Sequence, residues 1–456
     1  MKMKRITFLT FACACLAACA PKSGNDHQVH LYGQLIDMGS TSVPMRYDGA
    51  ASMLGDSRDI LLQTDTEGHF DTIITLTEPT YFSISRNTLY LSPGDDLNVK
   101  ITPNNEEAEF NGKGASVNNY MKFRLFPKGG SYLEGGSNLR TDFPATRALI
   151  DSLATVRQAQ LDTLSDASDE FKELEGARIT ADIANSYLCY PAYSRMFRNA
   201  KNMEEMMQSL ENYYKEITPA IKPLFEKLNQ DKYLDVAVVR DVMSYLASPN
   251  NKAMQELAGS IALTPRTKEL YAASKKIRGL RAKVDEATLK QAKAFADSLQ
   301  NKDFSTELTA KINQATKLLK GQSAIDFEFV DFEGNTHRLS EFKGKIIYLD
   351  FWATWCGPCI AESPYFDKLS GEYEGKDIVF IPMSTDTDKK AWTSFVTAHK
   401  KKQPQYNTVD TAIRDGWAIF YIPRFVIIDK DFNIVDAYAP RPSEPEAKAL
   451  LDSLLK

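Results

Sequence analysis

Tyr348-Leu-Asp-Phe-Trp-Ala-Thr-Trp-Cys356-Gly-Pro-Cys359-Ile-Ala-Glu362-Ser-Pro364 is the stretch around which the chain is organised. Ile346 to Phe351 is an apolar, β-branched and aromatic run broken only by Asp350, the composition of a strand covered on both faces. A short Ala-Thr-Trp turn follows, and Cys356 then stands at the predicted start of a helix. Unpaired backbone N–H groups and the positive end of the helix dipole favour an anion there, which for cysteine is the thiolate. Lowering a thiol pKa from its free value to near neutrality corresponds to about 2 kcal/mol, and a C-x-x-C at a helix start is a setting where such shifts occur. Pro358 lacks an N–H but falls in the first turn, where that donor has no intrahelical partner anyway. Two intervening residues let Cys359 reach a mixed disulfide formed at Cys356, so the pair suits thiol–disulfide exchange. Taken alone, a C-x-x-C also admits zinc-binding and structural readings.

These residues, with others downstream, resemble the TlpA/ResA-like thiol–disulfide oxidoreductases, membrane-anchored proteins of thioredoxin fold. The likeness covers about 323–456. Ala324-Ile-Asp-Phe327 with Asp331, Gly334, Leu339 and Lys343-Gly-Lys345 resembles the family's leading hairpin. Trp355-Cys-Gly-Pro-Cys359 is the thioredoxin motif, and Glu362 and Pro364 resemble its TlpA/ResA continuation. Ile422-Pro423 followed by Phe425-Val-Ile-Ile-Asp429 resembles the loop whose cis proline faces the cysteines. The resemblance implies that Cys356 attacks, that Cys359 resolves, and that Asp350 is the buried acid handling the proton of the second cysteine. It implies further that Glu362 lies near the cysteines and that Trp355, Gly357 and Pro358 border the substrate. Ile422 and Pro423 would present backbone to a substrate strand. A hydrogen-bonded core carboxylate is the plainer reading of Asp350, although an acid in an apolar strand is costly without a partner or a task. For Glu362 the plainer reading is a solvent-exposed helix residue.

Length and composition bound the rest. The chain's 456 residues suffice for about three domains, and 43% hydrophobic with 25% charged residues is globular. Residues 1–18 have the form of a signal peptide: Lys2, Lys4 and Arg5 precede the apolar run Ile6 to Ala18, which is too short to span a bilayer. Leu16-Ala-Ala-Cys19 resembles a bacterial lipobox, which implies lipidation of Cys19, a tether over 19–28 and an envelope protein anchored to a membrane and facing the periplasm. An ordinary cleaved signal with an incidental cysteine is the alternative. No later run reaches transmembrane length, so lipid would be the sole anchor. Removing 1–18 moves the net charge from −5 to −8, which gives no electrostatic footprint for nucleic acid. Cys13 and Cys15 leave with the signal, and Cys189 remains in an apolar helical stretch where an inert thiol is expected.

The predicted architecture is multidomain: an N-terminal β-sandwich (27–113), a helical middle domain (114–320) and a C-terminal α/β thioredoxin fold (323–456). Val29–Ile36, Arg58–Gln63, His69–Leu76, Tyr81–Ser85 and Leu97–Ile101 read as short strands with turn residues between them. This part also resembles the β-rich module that precedes TlpA-like domains in envelope lipoproteins. Thr146–Leu164, Ser168–Tyr190, Asn202–Ile217, Asp235–Leu246, Lys252–Ala262, Asp285–Gln300 and Ser305–Leu319 carry apolar residues at helical spacing. Their tyrosines read as core or groove lining ahead of a ligand site. In the last module Asp377–Thr385, Phe425–Asp429 and Asn433–Ala437 read as strands, and Lys389–Lys402, Asp410–Phe420 and Ser443–Leu455 as helices. Lys400–Lys402 reads as a solvated helix end.

No cofactor or metal is expected: the five histidines lack zinc-site spacing to one another and to the cysteines, and no phosphate-binding Gly-rich loop is present. A peroxidase of the AhpC/TSA type shares the fold, but its P-x-x-x-T-x-x-C pattern would require threonine at Ala353 or Cys356. Cys-Gly-Pro-Cys resembles the reducing thioredoxins. That implies a reductase of exported protein disulfides, itself reduced by a membrane electron donor of the DsbD/CcdA kind. A net thiol oxidant and a binding or scaffold lipoprotein with an accessory thioredoxin module are the alternatives.

Overall fold

The computed structural model describes residues 27–122, 130–194, 196, 200–282, 284–399, 403–408, 410, 413 and 416–456. The signal segment, Cys19 and Lys400–Lys402 lie outside the described residues. The chain divides into two compact units, and residues 46–60 belong with the second although they lie within the sequence of the first.

In the first, apart from Arg46 and Tyr47 of β2 and Ile60 of β3, the strands β1 (Gln28–Leu35), β2 (Ser42–Tyr47), β3 (Ile60–Gln63), β4 (His69–Thr75), β5 (Thr80–Ile84), β6 (Asn87–Leu91), β7 (Asp96–Ile101) and β8 (Glu109–Lys113) make two four-stranded sheets, ordered β4-β1-β7-β8 and β3-β2-β5-β6. Alternate side chains are buried, as Leu97, Val99 and Ile101 are along β7. Gly33 of β1 sits opposite Val99 in a parallel pairing; its φ is +139°, and a Cβ there would stand 1.9 Å from the Val99 carbonyl oxygen, so only glycine fits. Strands β2, β6 and β8 were not among the sequence expectations. Pro44 within β2 argues against a strand. Between β5 and β6 only Ser85 and Arg86 make the turn, with Ser85 at φ 52°, so no glycine or proline marks it.

Helices follow the sheets. α1 (Ala115–Lys122) belongs to the first unit, and α2 (Phe143–Asp162), α3 (Asp169–Tyr193), α4 (Met203–Leu228), α5 (Ala237–Ala247), α6 (Lys252–Ser260), α7 (Pro265–Ala282), α8 (Glu286–Ser298) and α9 (Lys302–Thr316) belong to the second. Asp142, Ser168, Asn202, Asn251, Asp285 and Asn301 cap their helices by accepting the N–H three residues on. α4 runs through Pro219 and Pro223 instead of ending at Ile217, because Ile221, Phe225 and Leu228 continue its buried stripe. α7 escapes the sequence pattern because lysines and arginines crowd its apolar positions, yet Leu270, Tyr271, Ile277 and Leu280 are buried. Phe143 meets Tyr187, Tyr190 and Tyr213 edge-on at 5.0–5.4 Å, an aromatic core. Burial pushes the Cys189 thiol up, in keeping with an inert side chain.

The last part of the second unit holds β9 (Glu328–Asp331), β10 (Thr336–Arg338), β11 (Ile346–Trp352), β12 (Ile378–Ser384), β13 (Tyr406–Asn407), β14 (Arg424–Ile428) and β15 (Ile434–Ala439) in one mixed sheet, ordered β10-β9-β13-β12-β11-β14-β15. All seven residues of β11 are buried, and it lies parallel to β12 and antiparallel to β14. α10 (Gly357–Glu372) and the closing helix Pro445–Leu454 cover one face through Phe366, Leu369 and Leu451. Leu318, Phe327 and Trp417 cover the other. α11 (Lys389–Ala398) brings Trp392 and Val396 against the cysteines. This is a thioredoxin fold. Of the helix expected over Asp410–Phe420, Ile413 and Gly416 are helical among the described residues.

The β9–β10 hairpin carries an ion cluster: His337 contacts Asp331 at 3.2 Å and Glu341 at 3.0 Å. Hydrogen bonds that the imidazole donates to Glu341, then to Asp331, hold its pKa above the usual value. Asn335 and His337 lower Asp331 to about 2. With the folded-state His337 pKa raised, its stabilisation is complete below the unfolded value of about 6.5 and is lost as pH rises through the folded one. Thermal unfolding of His337→Gln against the parent should therefore show the larger deficit at acid pH and convergence at alkaline pH. A deficit independent of pH would assign His337 a packing role only.

Candidate active site

Cys356 and Cys359 are joined by a disulfide with their Cα atoms 5.3 Å apart, so the structure is the oxidised form. Cys356 is the N-cap of α10, Pro358 falls in the first turn, and the Cys359 backbone N–H donates to the Cys356 Sγ at 3.2 Å. A helix-terminal donor thus points at the first sulfur, the arrangement that stabilises a thiolate once the bond is reduced. Exposure discriminates little between the two, at 5% for Cys356 and 2% for Cys359. Trp352, Ala353, Trp392 and Val396 enclose both sulfurs. Trp355 stands in solvent at 73% exposure.

Asp350 is buried within β11, and it lines a cavity of about 1030 Å³ together with Trp352, Cys359, Ile360, Phe395 and His399. Only the second cysteine shares that cavity with the acid. Burial raises the pKa of the neighbouring Tyr348 well above the usual phenol value, with Asp350 and Glu362 adding to it. Glu362 is buried at 8% exposure, and it lies off that cavity's lining. Its carboxylate accepts from the Ser443 hydroxyl at 2.9 Å and the Ser443 N–H at 3.2 Å, with Arg441 3.9 Å away. Nothing local in the chain hints at Ser443, because the pairing spans 81 positions.

Across the sheet, antiparallel pairing sets Phe351 opposite Arg424. This register brings the Ile422–Pro423 peptide, which is cis, beside the cysteine turn, and Ile422 packs against the cysteine cluster. Tyr421 is 64% exposed, so Trp355 and Tyr421 give the rim of the site an apolar surface.

A further group was missed in the sequence. Asp386 is buried just past β12 and accepts from the Thr354 N–H at 2.9 Å, the Thr354 hydroxyl at 2.8 Å and the Ser384 hydroxyl at 2.8 Å. Asn407 donates to its carbonyl at 3.0 Å. The network fixes the turn that delivers Cys356. Asp386 lies in Ser384-Thr-Asp-Thr-Asp388, which reads as a solvated turn, and nothing local ties it to Thr354. Asp386→Ala leaves buried donors unmatched at about 1–3 kcal/mol. A fall in kcat/KM for disulfide reduction of about tenfold is expected; unchanged single-turnover rates would show that the turn holds its shape without the carboxylate.

Residues 319–451 match the Redoxin family. Thiol-disulfide oxidoreductase ResA of Bacillus cereus is 30% identical over 138 residues, 30% of this chain and 80% of the relative. ResA of Bacillus thuringiensis subsp. konkukian is 33% identical over 119 residues, 26% of this chain and 69% of the relative. A crystal structure from Bacteroides vulgatus, assigned as a thiol-disulfide oxidoreductase, aligns at 61% identity over 31% of this chain and 99% of its own, with a TM-score of 0.31. A cysteine pair at a helix N-cap on a thioredoxin sheet, aligned over four-fifths of ResA, places the chain in the TlpA/ResA-like family of thiol–disulfide oxidoreductases.

Proposed function

We propose that the chain is an envelope thiol–disulfide oxidoreductase that reduces disulfides of exported proteins. The observation that carries this is the N–H of Cys359 directed at the Cys356 sulfur. In the reduced enzyme the Cys356 thiolate attacks one sulfur of a substrate disulfide. The S–S bond breaks, the departing substrate thiolate takes a proton, and a mixed disulfide remains. Cys359, losing its proton toward Asp350, attacks the Cys356 sulfur and releases the second substrate thiol, so two electrons pass to substrate and the Cys356–Cys359 disulfide forms. Glu362 would tune the thiols by its charge. Ile422 and Pro423 would hold the substrate strand while Trp355, Gly357 and Pro358 border it. A membrane dithiol donor of the DsbD/CcdA type would return the two electrons.

In the same reading Cys19 carries lipid after removal of 1–18, 19–28 is the tether, 27–113 forms a β-sandwich domain, 114–320 a helical domain and 323–456 the catalytic domain. The described residues contain no helix long and apolar enough to cross a membrane. The experiment is trapping: Cys359→Ala in the parent cell should accumulate mixed disulfides between Cys356 and envelope proteins that dithiothreitol releases. Membrane fractions should retain that variant, and adding Cys19→Ala should release it. Absence of thiol-labile adducts would remove the proposal of protein substrates, and continued membrane association without Cys19 would remove the anchor.

A further inference from the structure

The end of α7 meets the catalytic module at the loop that precedes β14. The last carbonyls of a helix have no intrahelical partners and need donors from elsewhere. Here two of them are capped from residues more than 140 positions further along the chain. The Tyr438 hydroxyl donates to the Leu280 carbonyl at 3.2 Å, and the Arg424 guanidinium donates to the Arg281 carbonyl at 3.2 Å. A cation at this end of the helix also meets the negative end of its dipole. Arg424 is 8% exposed, donates a second bond to the Ala437 carbonyl at 3.2 Å and stacks 3.8 Å from the Tyr438 ring. Arg281 returns the contact, its guanidinium 4.2 Å from the centre of the Phe420 ring. Phe420 and Arg424 bracket Pro423, so one helix end holds the loop on both sides.

We propose that the helical segment is a positioning device for substrate engagement: the α7 terminus clamps the Ile422–Pro423 loop through Arg281, Arg424 and Tyr438. Macromolecular substrates need that loop in place, whereas a small disulfide needs only the cysteines. The proposal rests on the assignment of Ile422 and Pro423 to substrate binding. The full chain carrying Arg281→Gln with Tyr438→Phe loses one cation–π contact and one hydrogen bond, and neither change empties the core. With dithiothreitol as reductant, KM for insulin disulfides should rise about fivefold, the equivalent of one such hydrogen bond, while kcat holds. The rate with 5,5′-dithiobis(2-nitrobenzoate) should change less than twofold. Hydrogen exchange of the Tyr421, Ile422 and Arg424 amides should quicken in the variant, a readout independent of any substrate. Faster exchange with an unmoved insulin KM would show that the loop is clamped but does not engage substrate, overturning the proposal through its premise. Unchanged exchange, or equal losses with both disulfides, would overturn the clamp itself.

Discussion

Cys356→Ser should lower kcat/KM for disulfide reduction by more than about 10³-fold, since the variant has no thiolate to attack with. Cys359→Ala should instead preserve the first attack and stall at the mixed disulfide. The asymmetry follows from α10. Its terminal N–H reaches the Cys356 Sγ at 3.2 Å, while Cys359 lies inside the first turn with its own N–H already given to that sulfur. Iodoacetamide titration of the reduced protein should accordingly modify Cys356 at lower pH than Cys359. With both sulfurs nearly enclosed, at 5% and 2% exposure, the helix-terminal donor decides the order more than access does. Equal reactivity, or faster alkylation of Cys359, would reverse the nucleophile assignment.

Asp350→Asn should act one step later. Asp350 is buried in β11 and shares the cavity behind α10 with Cys359 and not with Cys356. An acid so placed can take the Cys359 proton as the mixed disulfide resolves. Proton transfer by a positioned group contributes at least about 10²-fold, so resolution should slow by that order while the first attack keeps its rate. Glu362→Gln should behave differently. It removes a charge anchored to Ser443, and it should shift the thiol pKa values and the reduction potential without a selective block at resolution. Single-turnover reduction followed across about pH 5 to 9, the span in which thiols and raised carboxylates titrate, separates the two. If the asparagine variant resolves at the parent rate throughout, Asp350 is a core carboxylate and water or Glu362 carries the proton.

What was legible in the sequence was what is local. The run from Ile346 to Cys359 sets strand, turn and helix cap within fourteen consecutive positions, and each step depends on neighbours a few residues away. Pro423 was legible only through resemblance, because its nearness to the cysteines comes from strand pairing. Asp386 and Ser443 were not legible: each meets its partner across the fold, 32 and 81 positions away. The prolines of α4 and the basic residues of α7 misled for a related reason. Propensity penalises the prolines and the basic residues obscure the apolar period, and tertiary burial of Phe225 and Leu280 overrides both. The two-residue strand β13 is too short to carry a period at all.

The pairing of Phe351 with Arg424 divides the chain into parts that evolution can lengthen and parts it cannot. Between Ser384 and Arg424 the chain leaves β12, pairs again at β13 and comes back to β14, and the length of the segments between those strands has no bearing on where Pro423 lands, since the ladder between β11 and β14 fixes that. Residues could be added or lost on the surface of this excursion, away from β13, and the loop would still arrive beside the cysteines. Inside β11 the opposite holds. Deleting Phe351 or Trp352 inverts the facing of every strand side chain upstream of the cut, exchanging Asp350 with its neighbours and moving the only acid of the strand to the other side of the sheet. Natural variants of this module should therefore differ in length along that excursion and agree, residue for residue, from Ile346 to Cys359.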